Sequence, residues 1–163
     1  MKRMISMVLL LCIFLSGCGI FSERIKEPVT FYYIREDYPK DMGNVIASEH
    51  REAAGHKGDL PYLLALYTMG PSTEGLRSPF TENTKIIPTE HTESGVVLSI
   101  SGSTETMTDA EYTLASACLA MTCMELANAS QITVVCNDRS VTINHDNLIL
   151  YVAMEPQNLE ETK

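Results

Sequence analysis

Residues 108–128 read TDAEYTLASACLAMTCMELAN, and the architecture follows from where such a segment must sit. Thr108-Asp109-Ala110-Glu111 has capping-box spacing, in which a hydroxyl and a carboxylate satisfy the free backbone amides at a helix start. The run behind it is rich in Ala, Leu and Met, all good helix formers, and predicts a helix to about Asn128. Tyr112, Ala115, Leu119, Thr122 and Leu126 trace one face, while Leu114, Cys118 and Met121 crowd beside it. A helix apolar over most of its girth belongs in the centre of a domain. Gln131 to Cys136 and Arg139 to Asn144 then predict a hairpin turning at Asn137-Asp138, a pair that tolerates left-handed geometry.

Upstream, Val29 to Ile34 (VTFYYI) is β-branched and aromatic and predicts a strand. Asn44 to Ala53 reads as a second, weaker strand. Asp59 offers an N-cap and Pro61 suits a first turn. Leu60, Leu63, Leu64 and Tyr67 fall at i, i+3, i+4 and i+7, which predicts a short helix ended by Gly70-Pro71. Residues 70–84 read as a loop. Lys85 to His91 and Val96 to Ser101 read as a hairpin joined by Thr92 to Gly95; Val96, Leu98 and Ile100 mark its buried face. Leu148 to Met154 is a last apolar run that adds a further strand. Pairs of strands between helices predict an α+β fold, two helices packed on one face of a mainly antiparallel sheet.

The 163 residues fit one domain, and the apolar and charged fractions, 45% and 20%, are ordinary for a globular chain. Acidic residues number 21 against 12 basic, a formal charge of -9, so an anionic polymer such as nucleic acid is excluded as a natural partner.

The first residues carry an address. Lys2 and Arg3 precede an apolar stretch from Met4 to Leu15, broken only by Ser6. Twelve helical residues reach about 18 Å, short of the roughly 30 Å of hydrocarbon a spanning helix must cross. This is the pattern of a secretory signal. Leu15-Ser16-Gly17-Cys18 follows, a tetrad that resembles the bacterial lipobox, whose Cys is alkylated by diacylglycerol and becomes the first mature residue. The expected organisation is a signal peptide over 1–17, a lipidated N-terminus and tether over 18–28, one domain over 29–154 and an acidic tail over 155–163. Acyl chains at roughly 0.8 kcal/mol per buried methylene would hold the domain on the extracytoplasmic face of the cell membrane. Loss of Lys2 and Arg3 moves the formal charge from -9 to -11.

Of five cysteines, Cys12 leaves with the signal and Cys18 carries lipid. Cys118, Cys123 and Cys136 remain, an odd number that permits at most one internal disulfide, from Cys136 to Cys118 or Cys123. Three buried thiols acting as small apolar residues is the preferred reading.

From Val29 to Leu150 the chain is similar to the GerMN domain of lipoproteins from spore-forming and related bacteria. The resemblance rests on the strand Val29-Thr30-Phe31-Tyr32-Tyr33, the stretch Val45 to Ala53, and the helix ending in Gly70-Pro71. Gly75-Leu76, Ser78-Pro79 and Thr84-Lys85 follow in the family's order, and Gln131-Ile132-Thr133-Val134 after the long helix also fits. The likeness implies a unit related to the ring-building modules of sporulation complexes, with an envelope, sporulation or germination role. It implies no catalytic residues, so Gly70, Pro71, Gly75, Leu76 and Pro79 are motif positions rather than a reactive site.

The residues themselves supply no chemistry that contradicts this. His50 and His56 lie six apart with Gly55 between, unlike the paired histidines of a zinc protease. His145-Asp146 reads as a polar turn. No serine sits in a Gly-x-Ser-x-Gly elbow, and Cys136 alternates with Ile132 and Val134 toward the core. No phosphate-cradling glycine loop occurs. Met107, Met121 and Met124 read as core before contact surface, and Glu155, Glu160 and Glu161 as a solvated face. The expectation is therefore a non-catalytic, lipid-anchored interaction module without cofactor or metal. Its contacts with an envelope protein or a second copy would run through a sheet edge and the 70–84 loop. The alternative expectation is a small-ligand or cell-wall-binding lipoprotein accessory to a transporter or sensor.

Overall fold

The computed structural model describes residues 26–37, 44–93, 95–102, 107–146 and 148. The described elements run β1 (Pro28–Arg35), β2 (Ile46–Glu52), α1 (Leu60–Thr68), β3 (Leu76–Arg77), β4 (Lys85–His91), β5 (Gly95–Ser101), α2 (Asp109–Ala127), β6 (Gln131–Cys136) and β7 (Arg139–Asn144). Both expected helices and the α+β class are present. Cys18, the signal, most of the tether and the acidic tail lie outside the described residues, as does the whole 148–154 run except Leu148.

The long helix starts as its capping box dictates. Thr108 N–H donates to Glu111 Oε2 at 2.8 Å, and Glu111 N–H returns to Thr108 Oγ1 at 3.3 Å. Asn128 ends it in left-handed geometry at φ 50°. Ala115, Cys118, Leu119, Ala120, Thr122 and Cys123 are fully buried, while Leu126 lies half-covered at the end of the expected face. All four stripe residues of α1, Leu60, Leu63, Leu64 and Tyr67, are buried, and Asp59 caps it by accepting Tyr62 N–H at 3.2 Å.

The strands form two sheets rather than one. In the three-stranded sheet β1 lies between β2 and the two-residue β3; in the other the order is β4-β5-β6-β7. Both expected hairpins pair antiparallel, β6–β7 from Gln131↔Asn144 to Cys136↔Arg139. β4–β5 is offset by a bulge between Pro88 and Glu90. β5 and β6 run parallel, with α2 as the crossover that a parallel pair needs. Gly95 sits where these two backbones come closest. A Cβ there would lie 2.3 Å from the Gln131 carbonyl oxygen, so no side chain fits.

The division of the sheets has a local cause. Across from β2, the backbone of Tyr32 meets side chains instead of a strand: its N–H donates to Thr122 Oγ1 at 3.0 Å, and its carbonyl accepts the Tyr67 hydroxyl at 3.0 Å. Thr122 in turn donates to the Cys118 carbonyl at 2.9 Å within α2. A stretch of strand whose polar groups are already satisfied has no reason to recruit a neighbour. The helix thereby plugs the gap, packing on β1 on one side and on β6 and β7 on the other. A continuous core results, joining Phe31, Tyr33 and Tyr67 of the first sheet and α1 to Leu98, Ile132 and Val134 of the second.

Candidate functional site

The 70–84 segment is the motif-bearing stretch, and its placement begins at β2. Along that strand Ala47, Glu49 and Arg51 share one face, continued by Ala53 just past its end; Glu49 is only 4% exposed and Ala53 fully buried. Glu49 and Arg51 form an ion pair on that inner face. The guanidinium lies over the rings of Phe31 and Tyr33, at 5.6 and 6.0 Å from their centroids, and donates to the carbonyls of Leu66 at 3.3 Å and of Gly70. It therefore closes the open C-terminal carbonyls of α1, where a cation is favoured by the helix dipole.

Gly70 stands just past the helix at φ +85°, the left-handed geometry in which glycine has no Cβ penalty. Beyond it the chain wraps the Glu49 carboxylate. Oε2 accepts the amides of Ser72 at 2.9 Å and Thr73 at 2.7 Å, and Oε1 accepts the Ser72 hydroxyl at 2.9 Å. Burial alone would raise the Glu49 pKa, but the hydrogen bonds from Arg51, Thr73 and Ser72 together outweigh it and hold the carboxyl at about 2. The loop is tied twice more. Glu36 N–H donates to the Gly75 carbonyl at 2.9 Å, and Leu76 and Arg77 pair with Arg35 and Ile34 as β3. Pro79 is buried, and Phe80, also buried, sets its ring edge-on to Tyr67 at 6.5 Å.

The motif positions Gly70, Pro71, Gly75, Leu76 and Pro79 thus lie along one structured strap, and Ser72, Thr73 and Glu74 form its exposed crest. The two residues that hold the strap, Glu49 and Arg51, are not evident from the motif. The signal was nonetheless in the sequence: two charges at period two between Ala47 and Ala53, which marks charges facing inward and hence paired.

His50 and His56 are not brought together. His50 lies on the outer face of β2 with Nδ1 3.2 Å from Thr30 Oγ1, while His56 stacks on Tyr62 at 3.8 Å and faces Asp59 at 3.5 Å. His145 and Asp146 are exposed beyond β7. Among the described residues no group of three His, Cys, Asp or Glu side chains is placed to hold a metal, and no helix is long and apolar enough to cross a membrane. Cys118, Cys123 and Cys136 are buried and carry no disulfide. Burial pushes the Cys118 thiol up to about 12 and that of Cys123 higher, the reverse of what a nucleophile needs.

No protein-family model and no curated protein matches the chain. Among solved structures it is similar to a candidate lipoprotein from Clostridium perfringens, with 15% identity and a TM-score of 0.42 over 74% of this chain and 88% of that one.

Proposed function

We propose that the chain is an extracytoplasmic lipoprotein anchored through Cys18, and that its GerMN-like domain is a non-catalytic protein-interaction module at the cell envelope, serving sporulation or germination. The observation that carries this reading is the Leu15-Ser16-Gly17-Cys18 tetrad directly behind a basic pair and a short apolar run. The strap supports the interaction half of it. A crest fixed by a buried ion pair presents Ser72, Thr73 and Glu74 with little conformational freedom left to lose on binding. The outer edge of β2, unpaired among the described residues, is the second contact surface.

A drug-sized ligand or a cell-wall fragment would need a pocket of about 300–1,000 Å³. The cavity beside β1 encloses about 160 Å³, room only for something far smaller.

Fractionation of cells expressing the Cys18→Ser chain tests the anchor. The variant is expected in the medium, folded and without label from a palmitate analogue, whereas the parent chain fractionates with membranes and takes up label. A Cys18→Ser chain that stays membrane-bound overturns the anchor. A photo-cross-linking residue at Glu74 tests the module, and the expected product is a discrete protein adduct in intact cells. No adduct from position 74 or from position 48 on the β2 edge overturns the interaction reading.

A further inference from the structure

The cavity of about 160 Å³ lies where the start of β1, the loop before α1 and the last turns of α2 meet. Its apolar wall is Val29, Leu63 and Leu126, and its polar wall is Thr30, Lys57 and Glu125, with the Gly58 backbone between. The Glu125 carboxylate is aimed by two neutral donors, the Thr30 hydroxyl on Oε1 and the Tyr32 hydroxyl on Oε2 at 3.3 Å. Because the single Thr30 proton goes to Glu125, His50 Nδ1 must donate to Thr30 Oγ1, which fixes that hydroxyl in turn. Burial, together with the charge of Glu125, raises the Tyr32 pKa, so its hydroxyl remains a donor.

Two features of this arrangement suit a ligand. First, the carboxylate is oriented by two hydroxyl donors, and among the described residues neither Glu125 nor Lys57 has an ion-pair partner. Second, these opposite charges line one cavity that also has an apolar wall of Val29, Leu63 and Leu126. The volume matches on the order of five water molecules at roughly 30 Å³ each. A molecule of that size with one positive end, one negative end and a short apolar branch satisfies all three walls.

We propose that this cavity is a binding site for a small free α-amino acid, its ammonium on Glu125, its carboxylate on Lys57 and its short side chain against Val29, Leu63 and Leu126. This goes beyond the anchored-module reading and does not depend on it, since the site would exist on a soluble chain as well. Both charged groups are at the surface, so each can be neutralised without opening the core.

Calorimetric titration of the full chain in detergent micelles and amine-free buffer, with alanine, serine and valine as ligands, tests the proposal. Saturable binding is expected for these three. It should weaken by about tenfold or more in Glu125→Gln and in Lys57→Met, as for loss of one hydrogen bond to a charged group. N-acetylalanine, which lacks the ammonium, and alanine methyl ester, which lacks the carboxylate, should bind the parent chain as poorly as alanine binds those variants. These analogues decide the matter even if a variant folds badly. Absence of saturable binding by all three amino acids, or undiminished binding of both blocked analogues, overturns it.

Discussion

Tyr32 gives its backbone N–H to the side chain of Thr122 at 3.0 Å, across 90 residues of sequence. One hydroxyl thus ends a sheet and docks the central helix on it. Replacing Thr122 by Val keeps the shape but orphans the Tyr32 amide beside a fully buried position. The expected loss is about 1–3 kcal/mol, the desolvation cost of an unmatched donor. Thr122→Ser, which keeps the oxygen, should lose less. Urea unfolding of the two variants side by side checks the difference, and equal losses would show that the hydroxyl is irrelevant.

Glu49 makes the protein sensitive to acid in a defined window. Its carboxyl has a lower pKa in the fold, about 2, than the ordinary 4.5, so its contribution is fully present above about 4.5 and is lost as pH falls toward 2. Glu49→Gln should be less stable than the parent at pH 7, by up to about 3–5 kcal/mol, the loss typical of a buried pair with one partner removed. Its stability should also fall less steeply between pH 4.5 and 2. Denaturant midpoints measured along that range test both statements, and parallel slopes would detach Glu49 from acid sensitivity.

Gly95→Ala drives a methyl group into the Gln131 carbonyl, both of them backbone positions that cannot rotate away. The strain should remove about 1–3 kcal/mol and loosen the parallel β5–β6 pair first. Hydrogen exchange is the sharper readout: amides of β6 should lose protection before those of β1.

Leu119 is wholly enclosed in the middle of α2, so Leu119→Asp should abolish the native fold, since an unpaired charge there costs several kcal/mol. Near-parental circular dichroism and unfolding midpoint would mean the helix is placed wrongly.

Native protein should react negligibly with a thiol reagent at pH 8 at Cys118 and Cys123, whose thiols are buried and held in the protonated form, and both should react at once in denaturant. Rapid native labelling of either position would contradict the packing of α2.

Much of this architecture was legible from local pattern. The capping box at Thr108, the Leu60-Leu63-Leu64-Tyr67 stripe and the alternation through Val96, Leu98 and Ile100 each report a period, and periods are local. The loop over 70–84 was legible only as punctuation. Its glycines and prolines mark where the chain turns, while β3 within it depends on Ile34 and Arg35, some forty residues earlier.

The sequence by itself determined the secretory address pattern, the two helices, the hairpins and the α+β class, because spacing along the chain sets which side chains can share a face. Only the tertiary structure decided that the strands part into two sheets around Thr122 and Tyr67, and that β5 pairs parallel with β6. It also decided that Glu49 and Arg51 are the hidden supports of the motif-bearing strap, and that Thr30 and Tyr32 converge on Glu125, with His50 behind Thr30. Each of these is a hydrogen bond or charge contact between groups far apart in the chain, and the geometry that makes one partner available exists only once the core has closed.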